Sequence, residues 1–262
     1  MILSVTNPID NEIGKIKEFT IEDFRAISFV VENSTDVELN ELLEDKLIGD
    51  MNALTKLLTL IQARMQFVSE QITFNNGTSN VSIDIKFLLK ELLENITSAD
   101  TLLNFDHFKI RLNYPTKLLH DSYDNLMLDC IKYINHPFKD VNFKELDHES
   151  KLKIINNLDA GVVKRIKEAI REMDKPITIF KARANLSDIT LSLFDNSTFV
   201  FIRALFSYYT YDEITELLFI LSKRIPDIQY LNSRTPRDLE LMIRLYSEEI
   251  EKANTETKST NL

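Results

Sequence analysis

The sequence predicts an α+β, predominantly helical fold in which helices pack with small antiparallel β-hairpins. Apolar residues recur every three or four positions along most of the 262-residue chain, which is typical of helices with one buried face. Two short stretches instead alternate apolar and polar residues around turn-forming residues, which is typical of hairpins. The chain has only four glycines and six prolines, so long loops are expected to be scarce.

Residues 1–116 are expected to form an N-terminal part that combines helices with a hairpin. Thr20 is placed to cap a first helix, because its hydroxyl can accept from a free backbone N–H. A short second helix is predicted over residues 37–47 and ends at Gly49, and Asp50 is expected to cap a third. The buried face of this third helix is predicted to contain Leu54, Leu57, Leu58, Ile61, Met65 and Val68.

A change from helical spacing to alternation predicts the first hairpin. The alternating segments 72–75 and 81–85 flank Asn76-Gly77, a pair that tolerates positive φ and favours a turn. A helix over residues 85–96 and a strand over residues 108–113 follow. We expect the three strands to form one small sheet that packs against the third helix.

Residues 117–197 are expected to form a helical part that ends in a second hairpin. Helices are predicted over residues 123–134, 149–157 and 161–173. The second hairpin is predicted from two alternating segments, residues 177–182 and 189–194. Cys130 lies on the apolar face of the first of these helices and is therefore interpreted as an inert core thiol.

Residues 198–254 are expected to contain helices only. Thr210 and Glu213 have the spacing of a capping box, in which each side chain pairs with a backbone donor of the other residue. Thr235-Pro236 is predicted to begin the last helix, because proline suits the first helical position. The buried stripe of this helix is predicted to contain Leu239, Ile243, Tyr246 and Ile250. Residues 255–262 are predicted to be a disordered tail, and one continuous domain is the alternative to this division.

The charge and cysteine content argue against several classes of protein. Acidic residues outnumber basic ones by 41 to 31, for a net charge of −10, and no long basic patch is present, which disfavours bulk nucleic-acid binding. A single cysteine excludes an intrachain disulfide and suits a reducing compartment. The first residues do not resemble a signal peptide, and no apolar stretch is long enough to cross a bilayer. We therefore expect a soluble, cytoplasmic protein that does not bind membranes.

The sequence offers no recognisable set of catalytic residues. Its glycines are too dispersed for a phosphate-binding loop, and one cysteine with four scattered histidines does not match a zinc site. Three histidines adjoin aspartates, but neighbouring residues on a helix point in different directions. They are His107, His120 and His148. We interpret them as surface or capping residues, and predict no catalytic residue, metal ligand or cofactor.

The aromatic block over residues 199–211 is denser than folding alone requires. In one interpretation the phenylalanines pack the core and the tyrosines lie at its rim. In the other, several of these side chains stay exposed until a partner covers them, because Tyr and Phe are enriched in interface cores. The residues predicted to bind a partner are Phe199, Phe201, Tyr208, Tyr209 and Tyr211.

Four segments, in this order, carry a resemblance to a known family. They are Phe19-Thr-Ile-Glu-Asp-Phe24, Ala63-Arg-Met-Gln-Phe67, Ile110-Arg-Leu-Asn-Tyr-Pro-Thr116 and Tyr209-Thr-Tyr-Asp-Glu213. Together with the order of elements over most of the chain, they resemble the baseplate hub assembly proteins of T-even-type contractile-tailed phages.

The resemblance implies a non-enzymatic, chaperone-like assembly factor that binds other phage baseplate hub proteins in the host cell cytoplasm. One alternative is a structural hub or tail subunit that is retained in the virion baseplate. Another, of a different class, is a metal-dependent hydrolase built from dispersed acids and histidines. A bound metal, or a deep pocket ringed by at least three such side chains, would favour the hydrolase. The oligomeric state stays open.

Overall fold

The computed structural model describes residues 1–75, 80–95, 101–136, 139–178 and 197–259. Helices predominate and the strands form small antiparallel sheets, which confirms the predicted fold class. The helices are α1 Ile21–Asn33, α2 Asp36–Glu44, α3 Ala53–Phe67, α4 Ile85–Asn95, α5 Tyr123–Cys130, α6 His148–Asn156, α7 Ala160–Thr178, α8 Ser197–Phe206, α9 Tyr211–Ser222, α10 Ile228–Asn232 and α11 Pro236–Ser259. In the described part of the chain, no helix combines the length and the apolar character needed to cross a membrane.

The strands form three separate antiparallel sheets within the described ranges. They are β1 Ile2–Thr6 with β2 Ile13–Lys17, β3 Gln71–Asn75 with β4 Asn80–Asp84, and a sheet in the order β5 Thr101–Asn104, β6 Lys109–Leu112, β7 Ile131–His136 and β8 Lys139–Asn142. The prediction of one three-stranded sheet was therefore wrong. Strands β3 and β4 pair only with each other, whereas β6 pairs with β5 and β7, two strands that the sequence pattern did not predict.

The helix predicted over residues 123–134 ends early. Helix α5 stops at Cys130, and β7 begins at Ile131 and pairs with β6. Ile134 lies opposite Ile110 in this pair, and both side chains are buried. A regular strand would place Ile131 and Ile134 on opposite faces, but the register shift in the β6–β7 pairing lets both be buried, as a helix would also have done. Residues 131–136 form a strand because the edge of β6 offers backbone hydrogen bonds with which they pair.

The predicted second hairpin lies almost wholly outside the described residues. Residues 177 and 178 belong to the end of α7, so the helix runs beyond its predicted end at residue 173. Residues 179–196 are not among those described. At the other end of the chain, α11 runs to Ser259, so residues 255–259 of the predicted tail are helical.

The helix caps show which local signals the sequence carries. Thr20 caps α1 and Thr210 caps α9, each in a capping box, as their spacing indicated. The prediction that Asp50 caps α3 was wrong. Asn52 does so, since its side-chain oxygen accepts from the Thr55 N–H at 2.9 Å while its amide donates to Asp10 at 2.9 Å.

Helix α3 lies at the centre of the molecule. Its side chains are buried on nearly every face, and the predicted stripe is buried apart from the half-buried Met65. Strands β1 and β2 pack on one side of this helix, and α4 and α8 pack on others. One hydrophobic core joins buried residues from all three predicted parts of the chain, from Ile16 to Leu239.

The C-terminal helices are joined to the first helix by backbone and aromatic contacts. The Ile21 N–H donates to the Arg234 carbonyl at 2.6 Å. The Phe206 ring lies 5.6 Å from that of Phe19 and 6.5 Å from that of Phe24. These contacts fix the surface that α8, α9 and α11 present to solvent.

Candidate partner-binding surface

The structure separates the five residues predicted to bind a partner into two groups. Phe199 and Phe201 are buried, at 0% and 2% exposure, and pack the chain's own core. Tyr208, Tyr209 and Tyr211 are half-buried. The core interpretation therefore describes the two phenylalanines, and only the tyrosines reach the surface.

Tyr208 and Tyr209 connect the end of α8 to α11. Their hydroxyls donate to the same carboxylate oxygen of Glu240, at 2.7 and 2.8 Å, and their rings meet edge to face at 4.6 Å. Burial, reinforced by the nearby Glu240 carboxylate, raises the pKa of both tyrosines. Because both hydroxyls already donate within the chain, these tyrosines hold α11 in place.

Arg64 supports this tyrosine pair from inside the molecule. The side chain is fully buried, and its guanidinium donates to the carbonyls of Leu205, Ser69 and Gln71 at 2.5, 2.5 and 2.8 Å. It also lies 4.8 Å from the centre of the Tyr208 ring. Burial lowers the pKa of Arg64 to about 10, so the group keeps its charge at neutral pH.

Arg64 was not predicted to have a structural role, although its position in the sequence carried a signal for one. Arg64 follows Leu57 by seven positions and Ile61 by three, which places it on the predicted buried face of the helix. A basic residue at such a position needs several acceptors in the core. Only the fold shows that carbonyls from the end of α8, from Ser69 and from the first residue of β3 supply them.

Tyr211 occupies a different place, at the start of α9 beside α1. Its ring meets that of Phe29 edge to face at 5.7 Å, and the Arg25 guanidinium lies 5.6 Å from its ring centre. Its backbone N–H donates to Glu32 at 3.1 Å. Phe29 is 49% exposed, so an aromatic pair lies open to solvent at this junction.

A set of exposed apolar side chains that the sequence pattern did not indicate lies on α9 and α11. The exposed side chains there are Phe219, Ile220, Leu241, Leu245 and Ile250, with exposures from 36% to 63%. Between the two helices runs a groove of about 510 Å³, which we call the α9–α11 groove. Its apolar lining consists of Leu221, Ile225, Met242, Leu245 and Tyr246.

Charged side chains form the rim of this groove. Arg224 lies 4.4 Å from the centre of the Tyr246 ring and 3.3 Å from a Glu249 carboxylate oxygen. The apolar floor with a charged rim is the usual pattern of a protein-binding surface. The predicted buried stripe of α11 is only partly confirmed, because Leu239 is buried whereas Ile250 is 39% exposed.

A second depression, of about 270 Å³, brings acids and histidines together. Its lining includes His120, Asp121, Asp129 and His148, so it has the number of side chains that would favour a hydrolase. The His120 ring pairs with Asp129 at 3.0 Å, and its side chain is only 9% exposed. The interpretation of this histidine as a surface or capping residue was therefore wrong. Its partner is nine positions away and is not the adjacent Asp121.

The hydrogen bonds of Asp129 identify what this pair does. Its carboxylate accepts from the Thr116 hydroxyl at 2.7 Å and from the backbone N–H groups of Thr116 and Lys117 at 2.7 and 3.0 Å. These bonds hold the segment before α5 against that helix. Among the residues that the structure describes, no group of three or more His, Cys, Asp and Glu side chains is arranged to hold a metal ion.

Cys130 next to this pair is buried, as predicted. Burial raises the pKa of its thiol, so the reactive thiolate is not formed at neutral pH. The depression near His120 therefore contains no activated sulfur nucleophile.

Comparison with known protein families gives a match over most of the chain. Residues 2–199 match the family described as T4 bacteriophage base plate protein. No curated protein and no solved structure matched the chain. Because the matched region covers more than half of the 262 residues, the chain belongs to the T4 bacteriophage base plate protein family.

Proposed function

We propose that this chain is a non-enzymatic assembly factor of the baseplate hub, which binds hub subunits in the host cytoplasm while the tail is built. The α9–α11 groove is the observation that supports this role. Leu245, which lines this groove, projects its side chain into solvent at 55% exposure. A stable partner covers roughly 800 Å² of each protein, and apolar side chains at the centre of such an area supply most of the binding free energy.

The groove and the family match are independent observations. The match ends at residue 199, whereas every residue that lines the groove lies beyond it, on α9, the segment that follows, and α11. The matched part ties the chain to the baseplate, and the groove provides a surface for another protein. An assembly factor needs both properties.

A structural subunit that stays in the virion is the second candidate. The family description favours it, because it names a protein of the base plate itself. The same groove would then be covered permanently by a neighbouring subunit. A hydrolase has less support, since the Asp129 carboxylate is already saturated by hydrogen bonds from its own chain.

The test compares infected cells with purified virions. The tagged chain is recovered at intervals after infection, the bound proteins are identified by mass spectrometry, and the chain is quantified in mature particles. Hub proteins bound in cells, with the chain missing from virions, would support the assembly factor. A fixed copy number in virions would support the structural subunit. Recovery without any baseplate protein would overturn both.

A further inference from the structure

We propose that a second surface, built around the α1–α2 turn, receives a segment of a baseplate protein that carries basic and apolar side chains. This inference rests on the proposed function and adds the chemistry of one partner segment. We call the surface the α1–α2 corner and define it by Phe29, Glu32, Val37, Val200 and Tyr211.

The apolar part of the α1–α2 corner consists of side chains that the chain itself leaves uncovered. Phe29, Val37 and Val200 are 49%, 50% and 69% exposed. Tyr211 adds a half-buried ring beside that of Phe29. These side chains come from α1, α2 and α8, three helices that Arg203 bonds together, and several exposed apolar side chains in one region indicate an interaction site.

Arg203 joins these elements into one surface. Its guanidinium donates to the Val31 and Ser34 carbonyls at 2.6 and 2.8 Å, at the end of α1, and to the Asp36 carboxylate at 2.8 Å, at the start of α2. Val200 lies one helical turn before Arg203, so it projects beside the α1–α2 turn. The corner is held in one arrangement before any partner arrives, which lowers the entropic cost of binding.

The charge of the same region selects the partner. Residues 36–45 contain five acidic residues and no basic one. Asp36 pairs with Arg203 and Glu44 pairs with Lys56. The exposed Glu41 on α2 and Glu22 on α1 have no ion pair among the described residues.

These unpaired acids lie on the exposed faces that adjoin the apolar side chains. Glu22 precedes Phe29 by seven positions, or two helical turns, so the two share a face of α1 with Arg25, whose guanidinium lies against the Tyr211 ring. Glu41 follows Val37 by four positions and shares a face of α2 with it. Lys or Arg side chains that flank apolar residues complement this pattern. Nucleic acid and anionic lipid surfaces carry the wrong charge for it.

The experiment measures binding with defined probes. Each baseplate protein encoded by the same phage is purified and immobilised singly, and association and dissociation rates are measured by surface plasmon resonance at 50 and 300 mM NaCl. We expect the wild-type chain to bind at least one of them, with slower association at the higher salt because ions screen the acids.

Two double charge reversals, one beside the corner and one elsewhere on the chain, distinguish a local effect at the corner from the effect of the overall negative charge. Glu22→Lys with Glu41→Lys is expected to slow association at low salt by about tenfold and to remove most of its salt dependence. Glu149→Lys with Glu172→Lys is the control and should change the rate by less than about twofold. Glu22 and Glu149 are each the second residue of their helix, so both pairs perturb a helix start equally.

The apolar side chains are tested through the dissociation rate. Val200→Asp, at the most exposed apolar position of the corner, should speed dissociation by about tenfold while the circular dichroism spectrum stays unchanged. If the wild-type chain binds a baseplate protein but the acid reversals match their controls, the corner is not the binding surface and the proposed function stands. If no baseplate protein binds, both proposals are wrong.

Discussion

Gly14 lies where β2 crosses the central helix α3, and it allows the two backbones to approach. A Cβ at this position would lie 1.9 Å from the Thr59 hydroxyl oxygen. That hydroxyl is held by its own bond to the Thr55 carbonyl at 2.7 Å. We expect Gly14→Ala to lower the free energy of unfolding by about 1–3 kcal/mol, as overpacked cores do.

A second glycine provides the control for this measurement. Gly161 is in the first turn of α7 with no atom within 4 Å of an added Cβ. Gly161→Ala is expected to leave stability unchanged or to raise it by up to about 1 kcal/mol, because alanine is the better helix former. Urea unfolding of both variants makes the comparison. Equal effects at the two positions would show that Gly14 is not a point of close approach.

Asp129 is expected to couple stability to pH. Burial alone would raise its pKa, but hydrogen bonds from His120, Thr116 and Lys117 outweigh burial and hold the pKa at about 2, below the usual 3.8. A lowered folded-state pKa stabilises the protein above the unfolded-state value, and this stability is lost as pH falls from about 4 towards 2. The difference corresponds to roughly 2 kcal/mol.

The variant Asp129→Asn tests this coupling. The amide cannot ionise, so we expect it to be less stable than the wild-type chain at pH 7 and to lose less stability between pH 5 and pH 3. Urea unfolding across this range gives the slope for each protein. Parallel slopes would mean that the hydrogen bonds to the Asp129 carboxylate do not persist in solution.

At the scale of elements, α11 is a helix with two different halves. Leu239 is buried near its start, and Tyr208 and Tyr209 bind Glu240 one residue later. Every described side chain from Ser247 to Lys252 is exposed. The first half fastens the helix to the body of the protein, and the second half carries one wall of the α9–α11 groove.

Leu245 is the residue of α11 best placed to test the groove. It is 55% exposed, so Leu245→Asp should change the free energy of unfolding by less than about 0.5 kcal/mol. We expect the same variant to weaken binding to the recovered hub protein at least tenfold, because it places a charge in an apolar contact. Ser247→Asp adds the same charge two residues away and should bind normally. Equal binding by both variants would exclude the groove.

At the scale of the whole molecule, we propose that the three predicted parts of the chain form one domain. A single hydrophobic core contains residues of each part, and the buried Arg64 bonds to the carbonyl of Leu205, 141 positions away in the sequence. The Ile21–Arg234 backbone bond adds a second connection between the two ends of the chain. Contacts of this kind make separate unfolding of the C-terminal helices costly.

One cooperative unfolding transition is the expected consequence. Thermal unfolding followed by far-UV circular dichroism reports the helices, and tyrosine fluorescence reports the packing around the eight tyrosines, since the chain has no tryptophan. We expect the two curves to coincide, as they do for single domains. Two separated midpoints would show that the C-terminal helices unfold on their own.

Local signals were sufficient for most helices and insufficient for the sheets. The capping boxes at Thr20 and Thr210 and the apolar spacing of α3 predicted those helices correctly. Strand β7 was missed because its partner β6 lies about 20 residues earlier in the sequence, and strand pairing leaves little trace in a single segment. Of the residues predicted from the aromatic block to bind a partner, Tyr211 reaches the surface, whereas Phe199 is buried.

The sequence by itself determined the helical character, the family resemblance and the shortage of catalytic motifs, because these depend on residue type and short-range spacing. Tertiary structure alone decided which apolar side chains face solvent. Phe201 and Phe219 look alike in sequence, yet one is 2% and the other 63% exposed. Burial depends on which distant helix covers each position, and the positions left uncovered on α9 and α11 are the ones at which we propose that a partner binds.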